Sequence, residues 1–340
     1  MGQGARESVI PEKVAAMPET SAQPDAEFQR LVRERYAGNP RAIGALGARL
    51  MVGRDCPLSP TDGLELLNEA ARQNDAEAWA CLAVTAAAGV GRAQSWAEAF
   101  AALEKAASLN HAAAFRQQQL LNALSVADAA SAASWIGQFD ARLLREAPRF
   151  AAHNGFLPLA LCEHLIEHAR PRLARAQVFD AVSGTLKTDP MRTNTNAAYS
   201  VIDTDVVMQL VRARIACAAG VAFDALEPME VLHYSGGEMY KPHIDFFHPS
   251  RPGYAEEMRI RGQRVKTCLV YLNAGYEGGE TDFPKLGIQF RGEPGEALVF
   301  DNVGADGAGD MNTLHTGLAV TRGEKLLLSQ WIREKRQPIA

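Results

Sequence analysis

Thirteen residues from Leu67 to Trp79, L-N-E-A-A-R-Q-N-D-A-E-A-W, return as L-E-K-A-A-S-L-N-H-A-A-A-F from Leu103 to Phe115, 36 positions later. At the same offset Ala78, Leu82 and Gly89 fall on Ala42, Leu46 and Gly53. A period of this size holds one helical hairpin but no core of its own, so each copy must bury its apolar stripe against the next. Alanines at the repeated positions let helices approach closely, and Gly53 and Gly89 stand where a helix ends. The recurrence over residues 40 to 130 predicts about two to two and a half stacked hairpins. An ordinary Ala-rich helical bundle is the competing reading.

The repeat resembles the Sel1-like branch of the tetratricopeptide-type repeats, which implies a partner-binding surface or a packing role. The 340 residues exceed one modest core, and the organisation expected is a flexible tail over 1–38, repeats over 39–135 and a second domain over 136–340. Pro11, Pro18 and Pro24 among polar residues mark the tail. A net charge of −5 argues against a nucleic-acid partner. No run approaches the ~18 apolar residues of a membrane span. Five scattered cysteines without a C-x-x-C pair suggest reduced thiols and a cytoplasmic setting.

Residues 130 to 150 read as helical. Beyond them Asn154 to Pro158 is a turn and helix start, with a helix expected to about Ala174 and an amphipathic one over Val201–Ala219. From Met229 the pattern changes to short strands broken by Gly, Pro, Asn and Asp: Met229–Tyr234, His243–Phe247, Val265–Leu272, Ala297–Phe300, Leu314–Val320 and Lys325–Ile332. Helices followed by many short strands predict an α+β domain whose core is a double-stranded β-helix, or jelly roll.

The stretch Y-S-G-G-E-M-Y-K-P-H-I-D ends in His243 and Asp245, two residues apart. Residues i and i+2 of a strand share a face, so both reach one ion from a single strand. With His315 they make two imidazoles and one carboxylate, a set that leaves open positions and suits non-haem Fe(II) binding a cosubstrate and O₂. Val320 to Gly323 reads as a tight turn folding the strand of His315 back on the strand of Lys325. There Lys325, Leu327, Ser329 and Trp331 share a face, and a lysine head buried among apolar residues is costly unless paired. A dicarboxylate such as 2-oxoglutarate meets that need, chelating iron at one end and pairing with Lys325 at the other. His248 competes as third ligand but stands at a strand end before Pro249, and His233 faces away. Phe246 and Phe247 are core or pocket wall. Pro249 to Gln263 is either an exposed connection or a lid.

Residues 148 to 335 resemble the prolyl 4-hydroxylase branch of the Fe(II)/2-oxoglutarate oxygenases. The pattern Y-x-x-G-x-x-Y-x-x-H-x-D is met by Tyr234, Gly237, Tyr240, His243 and Asp245. R-x-x-T-x-x-x-Y-L-N is met by Arg264, Thr267 and Tyr271 to Asn273, G-G-E-T-x-F-P by Gly278 to Pro284, and P-G-E-A-L-x-F by Pro294 to Phe300. Asp310, His315, Gly317, Gly323, Lys325 and Trp331 complete the last block. The resemblance implies His243, Asp245 and His315 as iron ligands and Lys325 on the distal carboxylate of 2-oxoglutarate, helped by Tyr234 and Thr267. It places Trp331 at the cosubstrate and Tyr240, Arg264 and Arg192 at the substrate, with Asn194 where relatives carry serine. L-ascorbate is the implied reductant. The expected target is a prolyl residue of a peptide or protein recruited by the repeats. Competing readings are another side chain, a small metabolite, or an interaction protein whose oxygenase domain only senses iron or oxygen.

Overall fold

The computed structural model describes residues 25–180, 185–248, 250 and 252–337. The chain forms two compact units that part at residue 118, earlier than the boundary expected at 135.

In the first unit the 36-residue period is written into the backbone. Helices α2 (Pro40–Val52), α4 (Ala76–Ala88) and α6 (Ala112–Ala123) start 36 residues apart, as do α3 (Pro60–Arg72) and α5 (Trp96–Ser108). Asn39 and Asp75 cap the backbone N–H groups of Arg41 and Ala78, and His111 Nδ1 accepts from Ala114 N. The left-handed corners recur too, at Gly38, Asn74 and Asn110 and again at Gly53, Gly89 and Ser125. Gly47 and Gly63 bring α2 and α3 into backbone contact, since a Cβ on Gly47 would lie 2.8 Å from Gly63 O. Ahead of these helices stands α1 (Ala26–Tyr36), with Phe28 and Leu31 buried. The expected tail is therefore corrected over these residues: Asp25 caps Phe28 N, and two apolar side chains a helical turn apart find a core. The remainder of the tail, residues 1–24, lies outside the described residues.

The second unit carries α7 (Ala129–Gly137) and then strands where helix was expected: β1 (Arg142–Arg145) and β2 (Phe150–His153). All four β2 side chains are buried, so its sequence lacks the alternation that announces a strand. After α8 (Leu159–Ala169) come β3 (Ala174–Arg175), β4 (Val178–Asp180), β5 (Thr185–Lys187) and β6 (Thr195–Ala198). Helix α9 (Val206–Ala219) starts later than expected, capped by Asp205, and is buried nearly all round rather than amphipathic. Its Arg214 donates to the carbonyls of Trp135, Gln138 and Phe156, anchoring the end of α7.

Then follow β7 (Glu230–Tyr234), β8 (Tyr240–His243), α10 (Pro252–Arg261), β9 (Arg264–Tyr271), β10 (Glu277–Gly278), β11 (Thr281–Phe283) and β12 (Ile288–Phe290). The chain ends in β13 (Ala297–Asp301), β14 (His315–Gly317), β15 (Val320–Arg322) and β16 (Lys325–Arg333). An eight-stranded antiparallel sheet has the order β1-β2-β13-β9-β16-β7-β6-β3, and a four-stranded one the order β12-β11-β14-β8. Phe150, Tyr271 and Phe300 of the large sheet and Phe283 and Phe290 of the small one share a single core, with Phe150 and Phe283 rings edge to face at 4.8 Å. The jelly-roll expectation holds. The hairpin joining His315 to Lys325 does not: Val320–Arg322 is itself a strand paired with β10, and β14 and β16 belong to different sheets.

Candidate metal centre and its cavity

Strand β8 ends where β14 begins, and the register pairs His243 directly with His315. Their ring centroids are 4.2 Å apart. His243 Nδ1 lies 2.8 Å from Lys241 O, and His315 Nδ1 2.9 Å from Thr313 O. A carbonyl only accepts, so each Nδ1 holds the proton and each Nε2 presents a lone pair. Both lone pairs face one carboxylate: each Nε2 is 3.8 Å from an Asp245 oxygen. Among the described residues this is the one group of three such donors whose ligand atoms all lie within 4.8 Å of each other. Asp245 is not on the strand of His243, as expected, but in the bend after it. A turn of the chain, rather than strand alternation, brings it in.

Burial, reinforced by His315, pushes the His243 imidazole down to about 3, which keeps it neutral. Burial works against the Asp245 carboxylate, yet His315, His243 and the Thr267 hydroxyl hold it below the ordinary range. A neutral His243 imidazole and an ionised Asp245 carboxylate are protonation states a divalent ion requires. The donor set fits iron of the two-histidine, one-carboxylate kind.

From these ligands a cavity runs between the sheets to Lys325. Lys325, Leu327, Ser329 and Trp331 line it together, as strand alternation predicts. Lys325 is 2% exposed, and its Nζ donates to Gly279 O at 2.6 Å. It also lies 5.4 Å from the Tyr234 ring centroid and 5.2 Å from that of Tyr271. No carboxylate bonds it among the described residues. Burial lowers its pKa to about 7, with Glu280 opposing and Arg291 adding to the shift. An ammonium with two N–H groups to spare, facing metal ligands across one cavity, is an anion site.

Tyr234 lines this cavity, but Thr267 does not. Thr267 pairs with Trp331 across β9 and β16, six residues from Lys325 and roughly 20 Å along the strand. Its hydroxyl instead donates to Asp245 Oδ2 at 2.6 Å. The expected cosubstrate contact is thereby corrected.

A second, outer chamber shares Tyr240, Asp245 and Trp331 with the first and contains Arg192 and Arg264. Arg192 pairs with Glu230 at 3.0 Å and lies over the Tyr240 ring, which itself stacks on His243 at 3.5 Å. Arg264 clamps Glu227 through two hydrogen bonds of 2.6 and 2.8 Å and lies 4.1 Å over the Trp331 ring. Glu227 also holds Arg333, which reaches Glu257 of α10. The segment read as connection or lid is thus a helix forming one wall of this chamber, through Tyr254, Glu257 and Arg261. Glu227 and Arg333 went unread in the sequence: Glu227 lies three residues before β7, Arg333 ends β16 beside charged Glu334, and no local pattern marks either as buried. His248 is exposed and bonds to Ser250, and His233 pairs with Glu324 and Thr195, away from the site.

Residues 229–333 match the family model of the 2OG-Fe(II) oxygenase superfamily. Probable prolyl 4-hydroxylase 7 of Arabidopsis thaliana is 31% identical over 206 residues, covering 55% of this chain and 63% of that protein. Prolyl 4-hydroxylase 1 of the same plant is 32% identical over 227 residues, covering 59% of this chain and 78% of that one. The chain therefore spans a little under two thirds of the first relative and over three quarters of the second. A solved Sel1 repeat protein from Oxalobacter formigenes aligns with 33% of this chain and 48% of its own, at 24% identity and a TM-score of 0.28.

Proposed function

The chain belongs to the prolyl 4-hydroxylase family of 2OG-Fe(II) oxygenases, and from that we propose that it hydroxylates a prolyl residue of a peptide or protein, using Fe(II), 2-oxoglutarate and O₂. The observation that carries this reading is one cavity with two imidazole lone pairs and a carboxylate at one end and an unneutralised ammonium at the other. His243, Asp245 and His315 would hold the iron. Lys325 would take the far carboxylate of the cosubstrate, with Tyr234 beside it. When bound, the iron and cosubstrate supply the oxidising power that places one oxygen atom in a C–H bond, releasing succinate and CO₂.

The protein's own part is positioning. Leu232, Leu269 and Leu327 give the inner cavity apolar walls, which disfavour water beside the iron site. Tyr240 and Trp331, each packed against an arginine, border both chambers and would flank a pyrrolidine ring that reached the inner cavity. The peptide would enter through the outer chamber, with Arg192 and Arg264 holding these rings. Ascorbate as reductant, recruitment of protein substrates by the repeats and a cytoplasmic setting belong to the same proposal. The five cysteines stand unpaired, which suits that setting.

The test measures conversion of 2-oxoglutarate to succinate with proline-containing peptides, their alanine-substituted counterparts and free amino acids. We expect stimulation by the first alone, a mass gain of one oxygen on the peptide, and loss of both in His243→Ala. Equal turnover with the alanine peptides would overturn the prolyl assignment.

A further inference from the structure

We propose that Thr267, itself held by Asn302, decides which oxygen of Asp245 is offered to the metal. The inference rests on the reading of His243, Asp245 and His315 as ligands and assigns Thr267 the role of positioning residue.

Three hydrogen-bonding facts carry it. Thr267 Oγ1 donates to Asp245 Oδ2 at 2.6 Å. Asn302 Nδ2 donates to that same hydroxyl oxygen at 2.9 Å. A hydroxyl has one proton, and with an N–H arriving at its oxygen that proton is committed to the carboxylate. Asn302 is fully buried and fixed by its own backbone, with N on Val265 O and O receiving Asp310 N. Among the described residues its Oδ1 has no partner, so the hydrogen bond its side chain makes is to this one hydroxyl. Thr267 is likewise buried in the central sheet, between β13 and β16. Rotation of either side chain would break the Thr267–Asn302 hydrogen bond inside a buried site.

The consequence is one of counting. Two imidazoles and one carboxylate oxygen fill half of an octahedral shell, leaving room for a chelating 2-oxo acid and O₂. A carboxylate that closed on the ion with both oxygens would take one of those places. Oδ2, which faces His315 Nε2 at 3.8 Å, spends one lone pair on the Thr267 hydroxyl, so Oδ1, which faces His243 Nε2, is the stronger donor and coordination through one oxygen is favoured over closure with both. Two backbone carbonyls do the corresponding work for the imidazoles, so all three ligands are aimed by a partner behind them.

The test uses Co(II), whose visible absorption reports coordination number, on full-length wild type, Thr267→Val, Thr267→Ser and Thr267→Ala, with melting temperatures as the check on folding. We expect Thr267→Val to bind Co(II) about tenfold or more weakly with an altered spectrum, and Thr267→Ser to match wild type. Should Thr267→Val fail to fold, the comparison of Ser with Ala replaces it. Wild-type affinity and spectrum in the folded variants that lack the hydroxyl would overturn this inference alone. Absence of Co(II) binding by the wild type, or equal binding by His315→Ala, would overturn the metal centre and this inference with it.

Discussion

Lys325 is the residue whose surroundings leave the most undone. The folded protein holds its proton only up to about pH 7, whereas an ordinary lysine holds it to 10.5. Between those values the unfolded chain binds more protons, so the stability of the ligand-free protein rises with pH across that window and is lowest where the ammonium is charged. Replacing Lys325 with Met should therefore raise the melting temperature of the ligand-free protein at pH 6 while abolishing 2-oxoglutarate turnover. Thermal melts and succinate assays on the same preparation check both halves. Because the cosubstrate needs the charged form, the KM for 2-oxoglutarate should also climb above about pH 7. At this scale much was legible: the spacing of His243, Asp245, His315 and Lys325 is a chemical pattern that survives in one dimension. Thr267 was misplaced because a motif marks which residues matter, while the direction of a hydroxyl depends on how far along a strand it sits. Glu227 escaped because its partners, Arg264 and Arg333, are 37 and 106 residues away.

Elements hold these residues by means that leave fainter traces. Strand β16 begins at Lys325, and Asn273 grips the chain on either side of it: Nδ2 donates to Glu324 O at 2.8 Å, and Oδ1 accepts from Leu326 N at 2.7 Å. Asn273→Ala leaves both backbone groups unmatched, a cost of about 1–3 kcal/mol. The expected signature is a several-fold rise in KM for 2-oxoglutarate with a smaller change in kcat, measured beside a denaturant melt. The long strands β9, β13 and β16 were readable because runs of Val, Leu and Phe bounded by Gly and Pro leave few alternatives. β1 and β2 were not, since R-L-L-R-E-A-P-R-F-A-A-H lacks period-two alternation and β2 is buried on both faces. The pairing of β14 with β8 and β11 rather than β16 depends on which sheet a strand joins, and local pattern carries no term for that.

Across the whole molecule, the chain divides into two compact units. If the repeats recruit and the oxygenase unit reacts, damage to the first should be selective. Gly47→Leu forces a side chain into the contact of α2 with α3, where even a Cβ would sit 3.0 Å from Leu67 N. Such overpacking costs about 1–3 kcal/mol or more. Hydroxylation of a short proline peptide should persist in this variant while modification of a protein substrate falls; parallel assays with the two substrates decide it. The recurrence of the repeat was visible in the sequence, down to its 36-residue step. Its extension back into α1 was hidden, because α1 shares the core without sharing the motif. The left-handed corners at 38, 74 and 110 also make the array open-ended. A further block of 36 residues could be spliced in at any of them using the same joint, lengthening the helical array like links added to a chain. The repeat surface could thus grow in whole-number steps without retuning the metal ligands encoded more than a hundred residues downstream.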